Sequence, residues 1–175
     1  PPVSTADSFS YDLDSLKSLA RDVLRIAAAQ GATSAEVDLS ESVGQSVSVR
    51  RGEVETIEYN RDKGVGVTVY VGKRRGHAST ADLSRVALED TVRAALSIAT
   101  HTAEDDCAGL ADADLLARDV PDLDLFHPWD LPVEDAIEIA RRCEAAALAV
   151  DPRIGNSEGA TVGAHVGHSV YANSL

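Results

Sequence analysis

Four stretches of alternating apolar and polar residues follow one another in the first half of the chain. Valine recurs at every second position in 63–71, and 35–41 and 45–50 show the same period of two. The stretch 53–59 has a strand-like composition with imperfect alternation. Such alternation is typical of strands that bury one face and expose the other, the usual arrangement in antiparallel sheets. The sequence therefore predicts four half-buried strands.

Turn-forming residues separate these strands and lead into further ones. Arg51-Gly52 follows the second strand, and Asp62-Lys63-Gly64 precedes the fourth. After a basic turn at 73–76, a fifth strand is predicted from His77 to Thr80. The tail 154–172 is rich in Gly, Val, Ser and His, and it predicts one or two more strands.

Three segments place apolar residues at helical spacing, namely 13–30, 84–100 and 133–149. Asp12 or Asp14 is expected to cap the first helix, Gly31 to follow its end, and Ser84 to cap the second helix. In the third helix the expected buried stripe consists of Val133, Ile137, Ala140, Cys143 and Ala147. The second cysteine is Cys107, and the pair is expected to be reduced, with a disulfide as the alternative.

The order of these elements predicts the fold class. A helix is followed by a run of strands, two helices and more strands, which indicates an α+β fold: a mostly antiparallel sheet with helices packed on one face. The length of 175 residues suits one domain. Because the chain starts with Pro1-Pro2 and has no methionine, we expect 1–175 to be a piece of a longer protein. An acidic connector at 104–131 is the candidate for an internal boundary.

The charge balance excludes several classes of partner. Sixteen basic and 29 acidic residues give a net charge of −13, which repels nucleic acid in the absence of a concentrated basic face. No apolar run approaches the roughly 18 residues that a membrane helix needs. With no signal peptide visible either, we expect a cytoplasmic protein without nucleic-acid or membrane partners.

One basic patch stands out against this acidity. Between positions 50 and 75 there are seven basic and four acidic residues. Such a patch is a candidate contact for a partner or an extended peptide, and the residues selected are Arg50, Arg51, Glu53, Arg74, Arg75 and His77. The alternative is a solvated strand edge, since Lys and Arg on edges discourage aggregation.

Metal and cofactor motifs are not predicted in this segment. In a strand, His165 and His168 point to opposite faces and cannot chelate one ion, and no histidine is followed by glutamate. The glycines of 64–66 do not form a phosphate-binding loop, and the aspartates at 112 and 114 lack the other residues of a calcium loop. The aromatic cluster 126–129 is expected to fill a gap between elements.

Six phrases, in this order and spacing, resemble the N-terminal domain of the TldD/PmbA family over roughly residues 15 to 175. They are Arg51–Glu55, Lys63–Tyr70, Ala78–Ser84, Asp106–Asp112, Pro121–Pro128 and Arg153–Gly159. The phrases Asp-Cys-Ala-Gly and Asp-Leu-Asp-Leu-Phe-His-Pro resemble the PmbA branch, also called TldE. The members of the family are about two and a half times as long as this chain.

This resemblance implies a cytosolic metalloprotease built from a TldD-type and a PmbA-type subunit. Its implied substrates are unfolded peptides and leader peptides, as in microcin maturation. The family's zinc motif, H-E-x-x-x-H, belongs to the TldD-type chain and lies beyond the part that corresponds to this segment. No catalytic or metal residue is therefore carried over, and zinc is implied only in the TldD-type partner.

On this hypothesis the segment is a scaffold that lines the substrate chamber. An extended peptide would add to an exposed strand edge, with strands 45–59 and 63–71 as candidates. The implied partner is a TldD-type subunit or a second copy of the chain. Two alternatives remain open: a self-sufficient peptidase with its metal site in the missing C-terminal part, and a non-enzymatic module that binds or modulates unfolded proteins.

Overall fold

The structure is a computed structural model, and it describes residues 9–175. Its elements form one antiparallel sheet and three helices, which confirms the predicted α+β class. In chain order they are α1 (Leu13–Ala29), β1 (Ser34–Arg50), β2 (Glu53–Val71), β3 (Arg74–Thr80), α2 (Arg85–His101), α3 (Val133–Leu148) and β4 (Ala160–Asn173). The strands lie in the order β3-β2-β1-β4.

The first four predicted strands are in fact two long ones. Predicted strands 35–41 and 45–50 are joined in β1, and 53–59 and 63–71 are joined in β2. The prediction of a turn at 62–64 is therefore wrong. Gly44 lies within β1, where the absence of a side chain allows the ring of His165 to approach the backbone. A Cβ on Gly44 would lie 2.2 Å from Cδ2 of His165.

β3 begins earlier than predicted. The turn before it is confined to Gly72 and Lys73, and Gly72 has the positive φ of +59° that such a tight turn requires. Arg74 and Arg75 therefore belong to the strand and not to the turn. The pairing with β2 places Tyr70 opposite Arg75 and Val67 opposite Ala78.

The helix ends agree with the sequence signals. The side chain of Asp12 accepts a hydrogen bond from the Ser15 N–H at 2.7 Å, and Gly31 follows α1 with a φ of +101°. Ser84 caps α2 through the Ala87 N–H. Such capping residues provide hydrogen-bond partners or a suitable backbone conformation for the N–H and C=O groups that have no partner within the helix.

The buried stripe of α3 differs from the predicted one. Ala136, Ala140 and Glu144 are buried, whereas Cys143 and Ala147 are exposed. The buried side therefore differs from the predicted one, and it includes a charged residue. Glu144 lies there because its carboxylate binds the β1–β2 turn. Neither Cys107 nor Cys143 forms a disulfide, and both are exposed.

The described chain divides into two compact units. The helix-pair unit comprises Ser10–Glu41, Asp62–Leu123 and His168–Leu175. Its core is an aliphatic cluster from α1, α2 and the strands beside them: Leu16, Ala20, Val23, Ala27, Ala35, Val37, Leu39, Val65, Val67, Val69, Leu83, Leu88, Val92, Ala95 and Ala99. The helices of this unit thus cover one face of its strands.

The second unit, which we call the α3 unit, comprises Phe9, Ser42–Arg61 and Asp124–Gly167. Its buried core is small and consists of Val47, Val49, Ala136 and Ala140. Phe126 and Trp129 are exposed by 51% and 56%, so the prediction that they fill a gap is wrong. The small alanines of α3 pack directly onto the valines of β1.

The tail forms the single strand β4. Its even-numbered residues are half-buried and most of its odd-numbered ones are exposed, as the alternation predicts. His165 is exposed while His168 is largely covered, so the two rings lie on opposite faces. Across residues 9–175 no helix is long and apolar enough to span a membrane.

A buried carboxylate fixes the entry into α1. Glu41 is 1% exposed, and its two oxygens accept the Ser10 and Tyr11 N–H groups at 2.8 and 3.1 Å. His168 is the titratable group that faces it, with Nε2 at 3.9 Å. Burial acts to raise the pKa of Glu41, but the two backbone hydrogen bonds and the nearby His168 outweigh burial and lower the pKa.

We expect Glu41→Gln to destabilise the protein by about 1–3 kcal/mol at neutral pH, because an amide cannot accept both N–H groups. A carboxyl with a lowered pKa stabilises the fold above its ordinary value of 4.5 and stops doing so as the pH falls through its folded pKa. The difference from wild type in urea unfolding should therefore shrink below about pH 4.5. A difference that is constant with pH would contradict this.

Candidate functional site

The six residues predicted as contacts fall into two groups. Arg50, Arg51 and Glu53 belong to the α3 unit, whereas Arg74, Arg75 and His77 belong to the helix-pair unit. Each group is described within its own unit.

A two-residue turn connects β1 to β2. Arg51 and Gly52 have φ values of +53° and +75°. Positive φ at both positions is characteristic of the type I′ turn, whose twist matches that of the flanking strands. Glycine adopts this conformation easily, but arginine does so only rarely. The turn at Arg51 therefore needs support from outside the hairpin.

Glu144 of α3 supplies that support. Its Oε1 and Oε2 accept the N–H groups of Arg51 and Gly52, each at 2.8 Å, and the residue is only 2% exposed. Arg141, one helical turn earlier, donates from Nε to the Gly52 carbonyl oxygen at 2.8 Å. α3 thus binds both the donors and an acceptor of the turn.

These contacts lower the pKa of Glu144. The hydrogen bonds from Gly52 and Arg51 are the largest causes, and the Ser157 side chain and the charge of Arg50 act in the same direction. Burial alone acts to raise the pKa and is outweighed. The carboxyl is therefore ionised at neutral pH.

The side chains of Arg50 and Arg51 bind the loop before β4. Arg50 donates from Nε to the Ser157 carbonyl oxygen, and Arg51 donates from Nη2 to Asn156 Oδ1, both at 3.1 Å. Arg50 also lies 3.8 Å from Glu55 and 3.9 Å from Glu158. Both guanidinium groups therefore have structural contacts in addition to any role in binding a partner.

Glu53 is the third predicted contact in this unit, and it is exposed at the start of β2. It lines a shallow depression with Arg50, Arg51, Val54 and Glu55. The depression combines two cations with two carboxylates around an apolar residue. Such a surface suits a peptide backbone or a mixed-charge partner better than a phosphate.

Lys73 and Arg74 hold the start of the acidic connector in the helix-pair unit. Lys73 donates from Nζ to the Asp106 carbonyl oxygen at 2.8 Å. Arg74 donates from Nη1 to the Thr102 carbonyl oxygen at 2.6 Å and lies 3.4 Å from Glu104. Two of the cations in the basic patch thus act within the fold.

Arg75 and His77 point to the other face of β3. The residue between them, Gly76, is buried against α2, where a Cβ would lie 2.0 Å from the Ala95 carbonyl oxygen. Because side chains alternate along a strand, Arg75 and His77 lie on the face away from α2. Both residues are exposed, so they are available to a partner.

The same open face carries a hydrogen-bonded polar cluster. His77 Nδ1 lies 3.0 Å from Thr68 Oγ1, and a Cβ on Gly66 would lie 3.0 Å from an Asp38 carboxylate oxygen and 3.2 Å from His77 Cε1. Gly66 therefore gives these two side chains room to approach each other across the sheet. The cluster is polar, and it pairs the Thr68 hydroxyl with the His77 ring.

Two tyrosines bind one carboxylate on this face. Tyr70 and Tyr171 donate from their hydroxyl groups to the two oxygens of Glu36 at 2.9 and 2.8 Å. Burial is the largest cause that raises the pKa of Tyr70; the hydrogen bond and charge of Glu36 add to it, and Arg75 opposes it. On this face Arg75 therefore lies beside Tyr70, which is only 5% exposed, whereas Tyr171 is exposed.

Sequence reasoning did not identify Glu144, Glu36 or the two tyrosines. One signal was present for Glu144, which follows Ala136 and Ala140 at intervals of four and therefore shares their buried side. Glu36 and Tyr171 are 135 positions apart, and no local pattern relates them.

The residues that the structure describes do not fit a zinc site. A protein zinc site needs three or four His, Cys, Asp or Glu donors around one point. Within residues 9–175 no three such side chains are grouped to hold a metal ion. No chemical step through a metal is therefore assigned to this segment.

Solved structures share the fold. A protein from Bacteroides thetaiotaomicron, named for a candidate role as a modulator of DNA gyrase, superposes with a TM-score of 0.67 at 27% identity, and the match covers 90% of this chain and 35% of that one. TldE from Thermococcus kodakarensis superposes with a TM-score of 0.64 over 89% of this chain and 35% of its own. At 16% identity, the second likeness shows the fold alone.

Curated relatives are similar in sequence. Metalloprotease PmbA of Escherichia coli O157:H7 is 53% identical over 140 residues, which are 80% of this chain and 31% of that protein. A metalloprotease PmbA homolog of Haemophilus influenzae is 48% identical over 147 residues, 84% of this chain and 33% of the homolog. This chain spans about a third of the length of these relatives.

Two family models match most of the chain. The PmbA/TldA metallopeptidase domain 1 matches residues 35–99, and the PmbA/TldA metallopeptidase central domain matches residues 126–175. The chain therefore belongs to the PmbA/TldD family, with its likeness to PmbA-named proteins as the resemblance predicted. The name of the family implies a metal in the family.

Proposed function

We propose that this chain is the peptide-handling, non-catalytic part of a PmbA-type subunit in a TldD/PmbA metalloprotease. The match of two metallopeptidase domains to 35–99 and 126–175 is the observation that carries the proposal. Hydrolysis is assigned to a zinc-bearing TldD-type partner. The substrates would be unfolded peptides and leader peptides in the cytoplasm, as in microcin maturation, and the chain would be part of a longer polypeptide.

The geometry favours β3 as the strand that receives a peptide. β1 lies between β2 and β4, so both of its edges are occupied, which removes 45–50 from the candidates. β3 is an outer strand of the sheet and carries Arg75 and His77 on its open face. An extended peptide that pairs with an outer strand gains main-chain hydrogen bonds with little sequence specificity, and a cation beside it favours acidic or C-terminal groups.

A cleavage assay tests the proposed division of labour. The polypeptide that carries this sequence is incubated with an unstructured peptide, alone and with a TldD-type partner, with and without a chelator. The proposal expects turnover only in the mixture and its loss with the chelator. Chelator-sensitive turnover by the polypeptide alone would favour the self-sufficient peptidase instead.

A modulator that binds without cleaving is the second candidate. The observation behind it is the name of the Bacteroides thetaiotaomicron neighbour, which is given a candidate role in modulating DNA gyrase. This candidate expects binding of unfolded protein with no turnover, even when a TldD-type partner is present.

Arg75 provides the test of the peptide edge. We expect Arg75→Glu to raise the KM for an acidic unstructured peptide about fivefold with little change in kcat, because an exposed charge contributes binding of about 1 kcal/mol that is equal in the ground and transition states. Arg93→Glu on α2 is the matched control, since it makes the same charge change at an exposed position of another element. Equal effects of the two substitutions would contradict a peptide site at β3.

A further inference from the structure

A groove of about 330 Å³ lies between α1 and α2 in the helix-pair unit. Its inner wall is apolar: Leu88 of α2 is 2% exposed, and Leu19 and Ile26 of α1 are half-buried. Ala29, an exposed residue at the end of α1, lines the groove as well. The volume is at the small end of the range for ligand sites, so the groove suits a small apolar group and not a whole helix.

The sequence of α1 explains why the two helices leave this space. The residues of α1 on the groove side follow at intervals of three, four and three, namely Leu19, Asp22, Ile26 and Ala29. This spacing places them on one side of the helix. Large apolar residues at all these positions would close the seam between the helices, but the Asp22 side chain is charged and 48% exposed, and Ala29 is small. The seam therefore stays open beside Leu88.

Charged groups stand at the mouth of the groove. Arg25 of α1 and Arg85 of α2 line it, with side chains that are 76% and 86% exposed. Arg25 Nη2 binds Asp22 Oδ1, and Arg85 Nε lies 2.9 Å from Glu89 Oε1. The hydrogen bond and charge of Glu89 raise the pKa of Arg85, and the charge of Asp22 on the other helix adds to them. A guanidinium has five N–H donors, so each arginine retains donors for a further acceptor.

The groove thus combines an apolar wall, arginine donors and the acceptor oxygens of Asp22. The last residue of a peptide carries the complementary set when it has an apolar side chain, a main-chain N–H and a terminal carboxylate. A fatty acid has the apolar chain and the carboxylate but no N–H donor for Asp22. The mouth also lies at the start of α2, whose first residue is Arg85, and there the helix dipole favours an anion.

We propose that the groove between α1 and α2 binds the C-terminal residue of a peptide when that residue is apolar. The side chain lies against the apolar wall, the two arginines bind the carboxylate, and Asp22 accepts the main-chain N–H. The inference rests on the proposed peptide-handling function for its biological role. It involves neither β3 nor turnover and is measured by binding, so the two proposals can fail separately.

Binding of a short fluorescent peptide that ends in leucine tests the proposal, with the polypeptide that carries this sequence and fluorescence anisotropy as the readout. The free acid should bind about fivefold more tightly than the C-terminal amide, because the amide lacks the charge that the arginines bind. Arg25→Gln combined with Arg85→Gln should remove this preference. Arg93→Gln is the matched control, since Arg93 is also paired with an acidic residue of its own helix but does not line the groove. A preference that survives in the double variant would overturn the proposal.

A substitution that fills the groove gives an independent test. Ala29→Leu places a larger apolar side chain in the groove and should weaken peptide binding about tenfold, because the leucine of the peptide can no longer be buried there. Ala28→Leu is the matched control, at the neighbouring exposed position of α1 that does not line the groove. Urea unfolding is measured for both variants. Equal affinities of the two folded variants would contradict a site in this groove.

Competition experiments distinguish the peptide end from other ligands. Octanoate that displaces the fluorescent peptide as well as an unlabelled copy does would mean that the groove binds any apolar acid, and this would overturn the assignment to a peptide. Equal binding of a peptide that ends in aspartate would exclude a contact with the apolar wall. Arg75→Glu should leave the affinity unchanged, and a loss of binding in that variant would assign the peptide to β3 instead.

Discussion

Gly76→Ala is expected to destabilise the protein by about 3 kcal/mol, the upper part of the range for overpacking a well-packed site. A Cβ at this position would lie 2.0 Å from the Ala95 carbonyl oxygen and 2.5 Å from the Ala99 N atom. Both are backbone atoms of α2, so no side chain can rotate to make room. The helix as a whole would have to move away from β3.

Gly64→Ala is the matched control for this substitution. Gly64 is also a strand glycine without a positive φ, but a Cβ there would meet only the Thr80 carbonyl oxygen, at 3.6 Å. We expect this variant to be neutral or slightly more stable, since alanine restricts the unfolded chain. Urea unfolding of both variants measures the difference. Equal stability of the two variants would mean that α2 does not lie this close to β3.

This packing also bears on the candidate peptide edge. Gly76 separates Arg75 from His77, and its contact with α2 holds both side chains on the open face. If α2 is pushed away, β3 loses the support that fixes its position as an outer strand. We therefore expect Gly76→Ala to reduce peptide binding at β3 together with a large loss of stability, whereas Arg75→Glu should reduce binding with a smaller loss of stability.

The strands and helices of this chain could be predicted because their signals are local. Period-two alternation reports which face of a strand is buried, and Asp12, Ser84 and Gly31 act on backbone groups within a few positions. The opposite orientations of His165 and His168 follow from the same alternation. What failed was the number of strands, because the glycines and charged residues in β1 and β2 are typical of turns.

The two adjacent arginines show why the site was harder to predict than the fold. From the sequence, Arg74 and Arg75 are equivalent members of one basic patch. β3 starts at Arg74, and alternation then sends the two side chains to opposite faces. Arg74 binds the Thr102 carbonyl oxygen, and Arg75 lies on the face away from α2. A shift of one residue in the strand start would exchange these roles, and strand boundaries are the least certain part of a sequence prediction.

Glu144 could not be assigned a role from the sequence because its partners are 92 and 93 positions away. We expect Glu144→Ala to lower the urea midpoint more than Glu144→Gln does. Alanine leaves two N–H groups without an acceptor, whereas glutamine retains one acceptor oxygen. Glu138→Ala, at an exposed position of the same helix, controls for helix propensity and should leave the midpoint nearly unchanged.

The pH dependence distinguishes hydrogen bonding by the Glu144 carboxylate from simple packing. The hydrogen bonds from Gly52 and Arg51 lower the pKa of Glu144, so its stabilisation is complete above the ordinary value of 4.5 and is lost as the pH falls through the folded pKa. The difference between wild type and Glu144→Ala should accordingly be largest at neutral pH and shrink in acid. A difference that does not change with pH would show that Glu144 acts through packing, and Arg51 would then hold its positive φ without the carboxylate charge.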